Sequence, residues 1–317
     1  MQKNGFWAMP LICTILNAMP SFRSLLNTVL LAGALGTNAY AASTDCPQHF
    51  VQGQPPVVTQ PKLQKRTQEL CFTAFAVLHS GVSRTPLYAA EHLTRDNLAA
   101  AKQLPRKDSF HAEDRLPERD RAELKDYARS GYDRGHLAPN ANMPTREAQA
   151  ESFSLANMVP QIHANNAGVW AGMEAAAREL ARQEGELYVV SGPAFLGTEL
   201  QQVGNVLVPT HLWKVLYSPR QQRAGAYLIS NDETQDYDSL SLAELEQKTG
   251  INPMPSLPAQ VRNAGMNLPE PNASYNSKKT EAGAGATAPR PAAEPETSWL
   301  NSVLHALLKT LQQLLGK

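Results

Sequence analysis

Short apolar runs recur along the chain at Leu70 to His79, Leu187 to Ser191, Val206 to Val208, His211 to Tyr217 and Ala226 to Ile229. Runs of this length, rich in branched and aromatic residues, predict strands. Between them Ala167 to Arg182 is dominated by Ala, Glu and Arg; Asn165 and Asn166 offer caps before it and Gly185 a stop after it, so it reads as a helix. Leu242 to Lys248, ahead of Gly250, reads as a second one. Leu155 to Gln161 is a short apolar piece that Pro160 prevents from continuing as a central strand or helix. Leu93 to Arg129 is charged and irregular, which suggests loops and short helices. No repeat is visible. The pattern predicts an α+β fold, a mixed and mostly antiparallel sheet with flanking helices.

The two ends read differently. Arg23 precedes the apolar run Leu25 to Leu35, and Ala39-Tyr40-Ala41 has the small-x-small form of a cleavage site. Residues 1–41 therefore read as a secretory signal, with Met19 an alternative start, and they predict a periplasmic or secreted protein. The run is too short to span a bilayer, and no other segment approaches spanning length. One domain is expected over residues 42–262, led in by Pro55, Pro56 and Pro61. Residues 263–298 turn to Ala, Gly, Pro, Ser and Glu and read as a disordered linker. Trp299 to Lys317 carries Leu300, Val303, Leu304, Leu307, Leu308 and Leu311 at helical spacing. This amphipathic helix fits docking on the domain, a homodimer or another partner protein; with only Lys309 and Lys317 as cations, protein contact is favoured over lipid.

The chain has 29 Lys and Arg against 29 acidic residues. Removing residues 1–41 takes away Lys3 and Arg23 and no acid, leaving 27 against 29, a formal charge of −2. That argues against a tight nucleic-acid coat protein and allows a turnover enzyme with a local basic cluster, for which Arg106, Lys107, Arg134, Arg178 and Arg182 are candidates. Of three cysteines, Cys13 falls in the leader. Cys46 and Cys71 are expected to pair, a closure that contributes roughly 3.5 kcal/mol in the chain-entropy model. They have no Cys or His neighbours at finger spacing, which excludes zinc.

The candidate chemistry lies in Asp133-Arg134-Gly135-His136 and in Asn157, Asn166, Glu174 and Arg178 downstream. Cleaving a phosphodiester needs a base for water, a cation beside the developing charge, and a way to stabilise the departing oxygen. His136 is a base that is largely neutral near pH 7, and Asp133 and Arg134 set both charge signs beside it. On a regular helix Trp170, Glu174 and Arg178 share one inclined row, with Asn166 nearer that row than Asn165. Asn166 is the better ligand. An amide oxygen and a carboxylate acting largely through water suit Mg²⁺ or Mn²⁺ and suit Zn²⁺ poorly. Taken alone, Glu174 and Arg178 read better as an exposed i,i+4 ion pair, and Trp170 as core.

Further matches surround these residues. Arg106-Lys107-Asp108-Ser109-Phe110 lies upstream, Ser130 to Pro139 holds the motif, and Asn157-Met158-Val159-Pro160-Gln161 follows. Val189 to Pro193 and Val208 to Val215 complete the set. From roughly Cys71 to Leu257 the chain resembles the DNA/RNA non-specific endonuclease family, which has a ββα-metal, or His-Me finger, site. The resemblance implies His136 as general base, Asn166 as direct metal ligand and Glu174 as holder of the metal's water shell. It implies Arg106 and Arg178 at the phosphate, Asp133 and Arg134 as organisers of the pocket, and Asn157 as a hydrogen-bonding support. Many relatives have Leu-Asn-Gln where this chain has Asn165-Asn166-Ala167; the spacing to His136 and Glu174 selects Asn166.

The expected function is a Mg²⁺- or Mn²⁺-dependent endonuclease acting on DNA and RNA. A silent nucleic-acid-binding envelope protein would lack the base or a ligand, yet His136, Asn166 and Glu174 are all present. A metal-dependent phosphodiesterase acting on small esters is the third class.

Overall fold

A computed structural model describes residues 44–271 of the chain. The expected leader 1–41, residues 272–298 of the expected linker and the terminal helix 299–317 lie outside the described residues. In chain order the strands are β1 (Val57–Val58), β2 (Thr67–Cys71), β3 (Ala76–Ser80), β4 (Thr85–Thr94), β5 (Asp133–His136), β6 (Met158–Gln161) and β7 (Glu186–Ala194). They continue with β8 (Gln202–Val203), β9 (Val206–Leu207), β10 (His211–Ser218), β11 (Arg223–Ser230), β12 (Tyr237–Leu240) and β13 (Ile251–Asn252). The helices are α1 (Arg95–Lys102), α2 (Leu124–Tyr127), α3 (Arg146–Ser152), α4 (His163–Asn165), α5 (Ala171–Glu184), α6 (Leu242–Thr249) and α7 (Ala259–Ala264).

Seven strands form one antiparallel sheet in the order β12-β11-β10-β7-β4-β3-β2, so the predicted α+β class holds. The central strands are buried on both faces. Leu93, Val189, Leu212 and Ile229 point into a core shared with α1 and α5; Ala90, Val190, Trp213 and Leu228 point into a second core shared with α6 and the segment from Cys46 to Val58. The Cys46–Cys71 disulfide is formed and ties that segment to the end of β2.

Local chemistry sets the helix ends. Thr94 caps α1 through Asn97 N–H at 3.2 Å, and Ser241 and Glu244 form a reciprocal capping box on α6. Gly250 then ends α6 in the left-handed conformation, φ 72°, as the sequence predicts.

The differences from expectation have physical causes. Leu70 to His79 is a hairpin of β2 and β3 rather than one strand, turned between Phe72 and Phe75, whose rings stack at 4.4 Å. No Gly or Asn marks that turn. Strand β4 was hidden because Pro86, Ala89, Ala90, Glu91 and His92 look unlike a strand; Pro86 is tolerated beside a register shift, and the alanines admit the close packing of two buried faces. The chain also stays packed beyond residue 262, where Met266 and Leu268 lie against Gly225 of β11 and Tyr227 donates to the Pro269 carbonyl. Among the described residues no helix is long and apolar enough to cross a membrane.

Candidate active site

Strands β5 and β6 pair as a two-stranded ribbon in which Arg134 faces Pro160 and His136 faces Met158. Pro160 is accommodated because the ribbon has no further strand. Gly135 packs directly against the Gln161 side chain, and a Cβ there would collide with it, so the glycine is required by close approach. After β6 the chain makes α4, then one wide π-type turn from Asn166 to Trp170 with Gly168 at φ −97° and ψ −111°, and only then enters regular α5. The predicted uninterrupted helix from Ala167 is therefore corrected to one starting at Ala171. Such wide turns are favoured where a helix must aim side chains at a site.

That turn separates the two adjacent asparagines. Asn165 is fully buried, donating to the Ser230 carbonyl at 2.7 Å and accepting from Gln161 at 2.6 Å. Asn166 faces the opening. Its Nδ2 donates to Asp133 Oδ2 at 2.9 Å, which leaves Oδ1 as the atom available to a cation. Asp133 also meets His163 Nδ1 at 2.8 Å, a partner that sequence reasoning missed. Asn157 is buried behind the ribbon rather than in the opening; it bonds both the N–H and the carbonyl of Ala138 and the Ser152 carbonyl, at 2.8–3.0 Å. It holds the chain two residues after His136 and does not line the cavity.

His136 is 9% exposed. Its carbonyl accepts from Trp170 Nε1 at 3.1 Å, so this core tryptophan also locks the histidine backbone. The ring sits against Phe153 at 5.1 Å, edge to face, and Phe110 at 5.9 Å. The same two rings carry guanidinium groups, Arg134 over Phe110 at 4.0 Å and Arg106 over Phe153 at 5.2 Å. Burial, and then the charges of Arg106 and Arg134, push the imidazole down to about 3, partly offset by Asp108. His136 Nε2 is buried without a hydrogen-bond partner.

A cavity of about 420 Å³ brings Arg106, Arg134, His136, Asn166, Glu174 and Arg178 together. Lys102 and Arg182 also line it, and Glu174 is its one acid. Four of the five predicted basic residues are thus present; Lys107 is not, and Lys102 of α1 takes its place. Beneath the cavity lies a buried network that the sequence did not announce. Lys214 donates to Ser191 Oγ at 2.6 Å and lies over the Trp170 ring at 4.4 Å. Asn142 donates to Glu91 Oε1 at 2.9 Å and accepts from Arg178 at 3.2 Å. Arg178 is 7% exposed, so the exposed Glu174–Arg178 ion pair is not what forms. Burial raises Glu174 and takes Glu91 up to about 7, with Lys214 opposing both; burial lowers Lys214, opposed by Glu174 and then Glu91. The sequence signal for Glu91 and Lys214 was only a charged residue inside an apolar strand.

The donor set fits a hard divalent cation: one amide oxygen, one carboxylate, and room for water in a cavity whose other charged groups address anions. Cys46, Glu69 and Cys71 also cluster, but both sulfurs are consumed by the disulfide.

An antiparallel ribbon followed by a helix, set on a large antiparallel sheet, defines a ββα-metal nuclease architecture. The chain belongs to the DNA/RNA non-specific endonuclease family, whose family model matches residues 55–260. It is similar to the mitochondrial nuclease EXOG of Danio rerio, 32% identical over 215 residues, covering 60% of this chain and 61% of that protein. A nuclease of Nostoc sp. is 34% identical over 222 residues, covering 64% and 79%. The crystal structure of the EndoG/EndoGI complex matches with a TM-score of 0.54 at 26% identity, covering 58% of this chain and 84% of that one. The match spans about six tenths of the length of the EXOG relatives. The expected periplasmic or secreted location is overturned by these relatives, since the EXOG proteins and the Saccharomyces cerevisiae relative are mitochondrial nucleases.

Proposed function

We propose that the protein is an endonuclease that hydrolyses phosphodiester bonds of DNA and RNA with one divalent cation, Mg²⁺ or Mn²⁺, and a histidine base. The observation that carries this reading is the convergence of His136, Asn166, Glu174 and the arginines 106, 134 and 178 on one cavity. Asn166 Oδ1 and Glu174 would hold the cation, and the cation supplies positive charge beside the developing anion. Arg106, Arg134 and Arg178 bind phosphate oxygens and keep the ester in line for attack. Because Nε2 is closed off, His136 Nδ1 is assigned as the atom that takes the proton from the attacking water. Its lowered pKa keeps the ring neutral near pH 7, the form that can accept a proton. A phosphate bound between Arg106 and Arg134 offsets their charge and raises the basicity of His136 when substrate is present. Asp133 fixes the Asn166 amide, while Asn157 and Trp170 fix the His136 backbone.

All of these groups address phosphate and water. The nucleophile is external water, so a ribose 2′-hydroxyl is not needed, and phosphate contacts carry no direct sequence information. Both nucleic acids are therefore substrates. The test is cleavage of plasmid DNA and of random-sequence RNA with Mg²⁺, with Mn²⁺ and with EDTA. Activity should vanish in EDTA, and His136→Ala should lower it by at least ~10² while nucleic-acid binding persists. A folded His136→Ala protein that cuts at the wild-type rate would overturn the assignment.

A further inference from the structure

A second cleft of about 430 Å³ adjoins the cavity and shares Arg106, Arg134 and Asn166 with it. Its own walls are Phe110, Tyr127, Arg129, Tyr132 and Asp133. The only acid among them, Asp133, is already engaged by Asn166 and His163. Of the three guanidinium groups at the cleft Arg106 is paired with Asp108 at 2.6 Å, while among the described residues Arg129 and Arg134 have no carboxylate partner, and Tyr132 is the aromatic wall left uncovered. The lip is a tightly tied turn. Arg129 has φ 58° and Gly131 φ 81°, and an arginine held in the left-handed region is a cost that surrounding structure must enforce. Ser130 enforces it by donating to the Tyr127 carbonyl at 2.9 Å and accepting from Tyr132 N–H at 3.1 Å. Tyr132 is tethered from the other side by donating to Gln201 Oε1 at 2.8 Å. Under the cleft, the Tyr127 hydroxyl is buried and has no hydrogen-bond partner among the described residues; burial raises its pKa, so it stays a protonated donor.

We propose that this cleft is the subsite for the nucleotide next to the scissile phosphate, with Arg129 binding the flanking phosphate and the Tyr132 face packing on the sugar or base of that nucleotide. The proposal rests on the nuclease reading above. A strand whose phosphate lies between Arg106 and Arg134 continues into the cleft that shares those two residues, and the cleft supplies the pairing such a strand needs: a cation for each phosphate and an aromatic face that accepts any base. Among the described residues Arg129 forms no side-chain hydrogen bond or ion pair, so its charge is free for the strand. 

The test measures binding of a fluorescent single-stranded oligonucleotide in EDTA as a function of salt, and steady-state cleavage with Mg²⁺, for the wild type, Arg129→Ala and Tyr132→Phe. One lost phosphate contact should reduce the slope of log affinity against log salt by about 0.7. Arg129→Ala should therefore show that reduction and raise KM about tenfold, with kcat within twofold. Tyr132→Phe keeps the ring but frees it from Gln201, so it should raise KM about threefold while leaving the salt slope unchanged. An unchanged salt slope in a folded Arg129→Ala protein, or a fall in kcat at constant KM, would overturn the subsite. A wild-type protein that neither binds nor cuts the strand would instead overturn the nuclease reading on which it rests.

Discussion

The two faces of the seven-stranded sheet are made by the same strands and do different work. On one face Ala90, Val190, Trp213, Val215 and Leu228 form an apolar layer closed by α6 and by the disulfide-tied segment. On the other, Glu91, Ser191 and Lys214 rise from the three adjacent central strands β4, β7 and β10, with Ser191 directly opposite Lys214 in the ladder. The first face is a core; the second is a core with a polar base plate, on which Glu174 and Arg178 stand. Burial without hydrogen bonds penalises a charge heavily, so the polar groups persist only because they answer one another. The sheet thus sets the electrostatics of the cavity as well as the position of its walls.

Breaking the base plate should cost most. Lys214→Met keeps the volume but takes from Glu91 and Glu174 the cation that acts on both most strongly, leaving Arg178, and unfolding in urea should show a loss of about 3–5 kcal/mol. Val215→Ala, next along the strand but on the apolar face, should cost about 2 kcal/mol. If the two variants are equally stable, the contrast between the faces is wrong. Adding Glu91→Gln to Lys214→Met should restore part of the loss.

On the apolar face, reduction of Cys46–Cys71 should lower stability by about 3.5 kcal/mol, from a sequence separation of 25 residues. The protein that remains folded should keep its cavity chemistry, since the bridge lies with the opposite core. Loss of cleavage in a reduced protein whose near-UV dichroism is unchanged would contradict that separation.

Acid should act through the buried imidazoles, His136 in the cavity and, away from it, His79, which is 1% exposed and bonds the Asp120 carbonyl at 2.8 Å. Burial takes this imidazole down to about 4, against 6.5 in the unfolded chain. The folded pKa is the lower one, so between pH 6.5 and 4 the unfolded state binds more protons and stability falls as pH falls. The loss should approach about 3 kcal/mol by pH 4 and be absent above pH 6.5. In His79→Gln that part of the acid dependence should disappear; an unaltered profile from pH 4 to 6.5 would remove His79 from the account.

The smallest stability effects sharpen the division between neighbours. Asn165→Ala removes buried hydrogen bonds to Ser230 and Gln161 and should cost about 1–3 kcal/mol while leaving metal-dependent cleavage in the folded protein. Asn166→Ala should shift the melting temperature little and abolish that cleavage. Thermal melts and rates on the same two samples decide it, and the reversed pattern would move the ligand to Asn165.

The features legible along the chain are local ones. The Asp133 to His136 motif, the capped helix before Gly250, the α5 stretch ending at Gly185 and the strands β7, β10 and β11 were legible because turn residues, caps and apolar runs act over a few positions. A difference in direction between Asn165 and Asn166 was also read, but from a regular helix, whereas the wide turn from Asn166 to Trp170 is what separates them. Strand β4 was not legible, because a strand buried on both faces has no polar alternation and its Ala-Ala pair is chosen by the packing of its neighbours. Nor were Glu91, Asn142 and Lys214, which lie far apart in sequence and meet only when β4 and β10 flank β7 and Asn142 folds over them. A charge inside an apolar strand acquires its meaning from the charge it meets, and that meeting is made by sheet order, which no local window of the chain contains.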